Sequence, residues 1–175
     1  MKRLSMIFGA MLLSVAAWAQ QYDTDFVQTR IMKVSGKTTV MEGHITFDGN
    51  DQLTMNYTDP EGEYFIIDGN MVKINLLKKK AELDSEKVPA VKLQRATLLN
   101  CLSGRWEEAA IDNNAETTVT EKDGYQTVVL NAKERHKIPR GGYSSVELTY
   151  RLSDRMVTRM VLEELTGVKN IYELK

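Results

Sequence analysis

The chain has 175 residues, with 23 basic and 24 acidic side chains and a formal net charge of −1. This balance argues against a nucleic-acid-binding protein, which needs a basic patch to contact phosphates. The single cysteine excludes an internal disulfide framework and a cysteine-based metal site.

The first 19 residues have the features of a secretory signal peptide. Lys2 and Arg3 precede the apolar run MIFGAMLLSVAA, and Ala17-Trp18-Ala19 supplies an A-x-A cleavage signature. We expect cleavage after Ala19, which leaves residues 20–175 as one domain. Because the signal holds two of the 23 basic residues and none of the 24 acidic ones, that domain carries a net charge of −3. The alternative is an N-terminal membrane anchor, although a span usually needs about 20 apolar residues.

Short β-type segments separated by turn signals follow the signal peptide. The predicted strands are 23–34, 37–47, 53–58, 63–67 and 71–77. The turns between them include DGND, DPEG and DGN, whose residues favour tight reversals of the chain. Alternation places Ile45 and Phe47 on one face of the second strand, and Leu53, Met55 and Tyr57 on one face of the third.

Residues 78–90 are polar and predict a loop. Within them, the run Lys78–Lys80 indicates a solvated strand end, with contact to anionic lipid as the alternative.

A change of period from two to about 3.6 then predicts a helix over residues 91–102. One side of this helix carries Val91, Arg95, Leu98, Leu99 and Leu102. Gly104 is a plausible stop, and RWEEAA over residues 105–110 predicts another helical turn.

The second half of the chain returns to strands, at 117–121, 126–132, 145–152, 156–165 and 169–175. Alternation gives two apolar faces, one made of Val146, Leu148, Tyr150 and Leu152, the other of Met156, Met160 and Leu162. Sequential strands joined by short turns form an antiparallel meander, and a long twisted sheet tends to curl. The predicted fold class is therefore mainly β: a single curved antiparallel sheet, or half-open barrel, covered by a short helical lid.

The residues available for catalysis are few. His44 is expected to face solvent, His136 lies in a polar loop, and neither has a partner at a metal-ligand spacing. No nucleophile-elbow or P-loop motif is present. An enzyme would need polar side chains in the cavity, and the alternation predicts none there. We therefore predict a protein that is not an enzyme and has neither metal nor cofactor. Cys101 is expected to be an inert, buried side chain, with a reactive thiol as the alternative.

Apolar side chains carry more information. A curved sheet under one short helix cannot easily fill its own concavity, so the remaining space is either collapsed or reserved for a ligand. Methionines suit either reading, since thioethers fill cores and also adapt to varied ligands; they are Met32, Met41, Met55, Met71, Met156 and Met160. The residues predicted to line an acyl-chain cavity are Ile45, Phe47, Leu53, Met55, Tyr57, Leu98, Leu99, Leu102, Leu148, Tyr150 and Met160.

Three segments, DFVQTR, EGHITF and LTMNYTDPEGEYFIIDG, resemble the opening strands of the LolA-type periplasmic lipoprotein carriers. The likeness covers residues 25–74 well, and the later elements agree in order only. The resemblance implies a monomeric periplasmic protein that shields acyl chains of lipoproteins, or lipids, and moves them from the inner to the outer membrane. It also implies an inner-membrane release complex and an outer-membrane acceptor as partners.

The chain also departs from this family in one loop and at one aromatic position. Met55 stands where family members often carry an aromatic residue. The segment Asp48–Gln52 lacks the Arg-Pro pair whose arginine helps to hold the lid, and Arg30 or Arg95 could substitute for it. The alternative function is a periplasmic module that senses or binds lipid or peptide on the same scaffold without transport.

Overall fold

The computed structural model describes residues 20–138 and 141–175, so the predicted signal peptide lies outside the described residues. Its strands are β1 (Tyr22–Met32), β2 (Lys37–Phe47), β3 (Gln52–Asp59), β4 (Tyr64–Asp68), β5 (Met71–Leu76), β6 (Lys79–Asp84), β7 (Ala115–Lys122), β8 (Tyr125–Ala132), β9 (Tyr143–Arg151), β10 (Val157–Glu164) and β11 (Val168–Leu174). Its helices are α1 (Pro89–Leu102), α2 (Trp106–Asp112) and a 3-10 turn (Arg135–Lys137).

All eleven of these strands form one antiparallel sheet in the order β6-β5-β4-β3-β2-β1-β11-β10-β9-β8-β7. The sheet is not closed into a barrel. Strands β1 and β11 pair at its centre and join the two halves of the chain. The two edge strands, β6 and β7, are consecutive in sequence, and α1 and α2 connect them. The helical lid, meaning α1 and α2, is therefore the connection between the two free edges of the sheet.

Period-two alternation explains how the strands form one apolar inner face. Along β2, Met41, Gly43, Ile45 and Phe47 are buried while most of their neighbours are exposed. Gly43 has a packing role, because a Cβ atom there would lie 2.8 Å from the Phe26 ring. The glycine thus lets an aromatic ring lie directly on the strand.

One hydrophobic cluster lies between the inner face of the sheet and the lid. Both layers contribute to it, since Leu53 and Leu148 from the sheet and Leu102 from α1 are each at most 1% exposed. Among the described residues, no helix has the length and apolar character needed to cross a bilayer.

The predicted fold class is confirmed, with two local errors. Residues 78–90 are not a loop throughout, because Lys79 and Lys80 begin strand β6, which pairs with β5. Its alternation is weak because the strand lies at the sheet edge. Leu152 does not join the inward face of β9: the strand ends at Arg151, and Leu152 is 40% exposed in the following turn.

Candidate functional site

The structure brings the predicted acyl-chain residues together. Each of the eleven is at most 8% exposed and belongs to the single hydrophobic cluster. Eight project from strands β2, β3, β9 and β10, and three (Leu98, Leu99 and Leu102) from α1. In this conformation they pack in one cluster, so the predicted hollow is not open to solvent along these side chains.

The two helices of the lid are bonded to each other through buried polar groups. The Asn113 amide donates to the Thr97 hydroxyl at 2.8 Å and to the Ala109 carbonyl at 2.9 Å. Thr97 is fully buried, and Asn113 is 4% exposed. Because breaking these bonds would leave buried polar groups unpaired, α1 and α2 are expected to move as a unit.

Two hydrogen bonds attach α1 to the sheet; α1 supplies the donor of one and the sheet supplies the donor of the other. The Arg95 Nε donates to the Gly69 carbonyl, in the turn between β4 and β5, at 2.6 Å. The Tyr150 hydroxyl on β9 donates to the Cys101 carbonyl at 3.0 Å. Arg30 and Arg95 were the two candidates to replace the loop arginine, and of the two it is Arg95 that bonds the lid to the sheet. Arg30 instead donates to Asn170 within the sheet.

Helix α1 is capped at its C-terminal end only, where the Ser103 hydroxyl donates to the Leu99 carbonyl at 2.6 Å and Gly104 adopts a positive φ. Pro89 occupies its first turn, but no side chain caps its N-terminus. Its first turn holds no acidic residue and its last turn no basic one, so the helix dipole is uncompensated. Packing of Val91, Leu98, Leu99 and Leu102 on the sheet therefore supplies most of its stability.

A chain of polar groups interrupts the apolar inner face. The Tyr57 hydroxyl donates to Gln28 Oε1 at 2.5 Å, and the Gln28 amide donates to Asn170 Oδ1 at 3.1 Å. The Arg30 guanidinium donates to the same Asn170 oxygen at 3.1 Å. Burial raises the pKa of the Tyr57 phenol well above its ordinary value, so the hydroxyl stays protonated. The prediction of an inner face without polar groups is thus wrong at Gln28 and Asn170. The sequence held a signal for both, because Gln28 is two residues from Phe26 and Asn170 is two residues from Tyr172, and residues two apart on a strand share a face.

Two cavities flank α2 and share Trp106 and Glu107 in their walls. One, of about 320 Å³, is also lined by Glu121, Tyr150 and Leu152. The other, of about 440 Å³, lies against Ile111 and the start of β7. Of the predicted cavity residues, Tyr150 reaches the first of these, and Phe47 lines a separate space of about 400 Å³ near Tyr22.

The histidine prediction is partly wrong. His44 does face solvent, with 43% of its side chain exposed. However, the pairing of β1 with β2 brings two carboxylates to it: Asp25 lies 2.8 Å from Nδ1 and Asp23 lies 2.7 Å from Nε2. Both hydrogen bonds raise the pKa of His44 above 6.5, and the bond with Asp25 has the larger effect. Over residues 20–138 and 141–175, no group of three or more side chains has the geometry of a metal site.

Cys101 is fully buried on α1, as the sequence predicted. Burial raises the pKa of its thiol to about 12, which keeps it protonated and unreactive.

Comparisons with known proteins give several structural matches at low sequence identity and one family match. Similar solved structures include a LolA superfamily protein of Nitrosomonas europaea (9% identity, TM-score 0.39, covering 90% of this chain and 84% of that one) and LprF of Mycobacterium bovis (14%, 0.38, 90% and 85%). Another is a chain of the MucA/MucB complex of Pseudomonas aeruginosa (11%, 0.44, 90% and 52%). No curated protein sequence matches significantly. The family model described as outer membrane lipoprotein carrier protein LolA matches residues 17–175, and the chain therefore belongs to that family.

Proposed function

We propose that this protein binds the acyl chains of lipoproteins between its sheet and its helical lid and carries them through the periplasm from the inner to the outer membrane. An inner-membrane release complex and an outer-membrane acceptor would be its partners. Besides family membership, one observation supports the proposal most: a largely apolar inner face lies under a lid that two hydrogen bonds attach to the sheet.

The energetics favour a ligand with more than one acyl chain. Lifting α1 would expose Val91, Leu98, Leu99 and Leu102, at a cost of about 6–12 kcal/mol. Burying one 16-carbon chain gains about 11 kcal/mol relative to water. Relative to chains in water, burial of one chain therefore roughly offsets the exposure of these four side chains, and burial of two chains exceeds it.

The lid is suited to such a movement. Its two helices are bonded to each other, the N-terminus of α1 has no side-chain cap, and loops connect the lid to the edge strands β6 and β7. The lid can therefore open without breaking the hydrogen bonds between strands. The apolar side chains of the inner face and of the lid, which pack against each other in the closed form, would then contact the ligand.

Binding can be measured through the lid itself, because Trp106 is the one tryptophan in residues 20–175. A diacylglycerol analogue with brominated chains should quench Trp106 fluorescence if the chains enter beside the lid. A brominated short-chain alcohol serves as the control for surface contact. Absence of saturable quenching by the diacyl ligand would contradict acyl-chain binding.

Transport requires a second experiment in the native host. Depletion of the protein should leave outer-membrane lipoproteins at the inner membrane, measured by fractionation and restored by the wild-type chain. Normal lipoprotein distribution together with an altered envelope response would instead indicate the sensing module.

A further inference from the structure

Strand β7 is an open edge of the sheet. It pairs with β8 over its whole length without a bulge, and it contains neither proline nor glycine. All of its residues after Ala115 are exposed, and they are rich in threonine with one valine, which favours β structure. Such an edge offers unpaired backbone groups to another extended chain.

The register fixes which backbone groups are free. The Lys133 N–H donates to the Asn114 carbonyl at 3.0 Å, and Asn114 immediately precedes β7. Hydrogen-bonded pairs alternate along an antiparallel ladder, so the even-numbered residues of β7 bond to β8. The groups that point away from the sheet belong to Ala115, Thr117, Val119 and Glu121.

The opposite edge is less suited to accept a strand. Strand β6 has six residues against eight in β7, and it begins with Lys79 and Lys80. Short edges that carry lysine resist pairing with another chain. The two edges therefore differ, and β7 is the favoured one.

The surroundings of β7 add side-chain pockets and charge. The two cavities beside Trp106 lie along this edge, and Ala115, Thr117 and Glu121 contribute to their walls. Glu107, Glu116 and Glu121 form no ion pair with any other described residue. Arg155 and Lys133 line the same two cavities, so the edge offers both signs of charge to the side chains of a bound peptide.

We propose that β7 binds the polypeptide that follows the acylated cysteine of the cargo, as an added strand with its side chains beside Trp106. This inference rests on the proposed function, because the acyl chains must already lie under the lid. Helix α2 ends two residues before β7 begins, so a chain leaving the lid on this side meets the β7 edge first. The ligand class is an extended peptide with a diacylated N-terminal cysteine.

The test compares two ligands with dipalmitoyl chains: a diacylated cysteine hexapeptide that contains two lysines, and the diacylated cysteine amide without the peptide. Val119→Pro removes an outward N–H and is compatible with an edge strand. Val119→Ala controls for the lost side chain. Glu82→Pro on β6 is the matched backbone control. The Ser85 N–H donates to the Asn70 carbonyl, so the odd-numbered residues of β6 bond to β5 and the N–H of Glu82 points away from the sheet.

We expect Val119→Pro to weaken hexapeptide binding by about fivefold, as for one lost hydrogen bond. Binding of the cysteine amide should not change, and Val119→Ala and Glu82→Pro should bind both ligands as the wild type does. Thr117→Pro repeats the test if Val119→Pro does not fold. Equal hexapeptide affinity in Val119→Pro and wild type would overturn the inference.

Amide hydrogen exchange of the wild type gives a readout that needs no variant. The hexapeptide should slow exchange at Thr117, Val119 and Glu121, whereas the cysteine amide should not. Unchanged exchange at these three residues with both ligands would overturn the inference while leaving acyl binding intact. If neither ligand binds the wild type, the proposed function is wrong and this inference fails with it.

Discussion

Arg95 on α1 donates its Nε–H to the carbonyl oxygen of Gly69, 26 residues earlier in the chain, at 2.6 Å. The bond joins the lid to the turn between β4 and β5. The family resemblance implies an arginine in the loop before β3 that holds the lid, and this chain has none there. In this chain the arginine that bonds the lid to the sheet lies on the helix, and its acceptor lies in the turn between β4 and β5.

Replacing Arg95 should loosen the lid. Arg95→Gln removes a charged donor from a half-buried bond, at a cost of about 1.5–3 kcal/mol in the free energy of unfolding. Amide exchange in α1 should accelerate, while exchange in the central strands β1 and β11 should accelerate only by the amount that the loss of global stability requires. Lys92→Gln, which breaks an exposed pair with Glu86, is the control and should change stability by less than about 1 kcal/mol. Unchanged exchange in α1 of Arg95→Gln would show that this bond does not hold the lid.

The second attachment should be weaker because both groups are neutral. Tyr150→Phe keeps the ring in the core and removes only the hydroxyl that donates to Cys101. We expect a loss of about 0.5–1.5 kcal/mol in chemical denaturation. Tyr125→Phe, at a position that is 42% exposed, provides the matched control. Equal stability of the two variants would count against a lid bond at Tyr150.

Leu99 should contribute both to stability and to ligand volume. Leu99→Ala removes a side chain that is 4% exposed and should cost about 2–5 kcal/mol. The space that it leaves should tolerate a bulkier acyl chain in the quenching assay. Ile111→Ala on α2 is the control, because Ile111 is 78% exposed and its loss should have little effect. A similar small cost for both variants would mean that α1 does not pack on the sheet in solution.

Protonation of His44 should stabilise the fold. Hydrogen bonds to Asp25 and Asp23 raise the pKa of His44 in the folded state above its ordinary 6.5. The stabilisation is therefore complete below the unfolded pKa and is lost as pH rises through the folded pKa. The ring should titrate above 6.5 by NMR, and the double variant Asp23→Asn, Asp25→Asn should return its pKa toward that value. A wild-type pKa at or below 6.5 would contradict the two contacts.

Strong alternation made most of the sheet predictable from sequence. Ile45, Phe47, Leu53 and Met55 alternate with polar neighbours, and the structure buries all four. Strand β6 was missed for a physical reason: its turn consists of Leu77 and Lys78, which both adopt positive φ without a glycine or asparagine to signal it. An edge strand also needs few apolar residues, so KKAELD looks like a loop.

The burial of the candidate site residues was predictable from the sequence, whereas contacts that depend on the pairing of distant strands were not. The periods of the strands and of the helix were enough to predict that the eleven residues are buried. By contrast, Gln28 bonds to Asn170 across 142 residues of sequence, and His44 bonds to Asp23 across 21. Such contacts depend on which strands pair and in which register, and local patterns carry no information about either.

Photo-crosslinking from under the lid and from a distant surface tests acyl-chain binding most directly. Benzoylphenylalanine replaces Leu99, on the buried side of α1, or Val34, which is 93% exposed in the turn between β1 and β2. Cells of the native host are labelled with radioactive palmitate and irradiated. We expect labelled lipoprotein attached at position 99 and little at position 34. Equal labelling at both positions, or none at position 99 in a folded variant, would contradict acyl-chain binding under the lid.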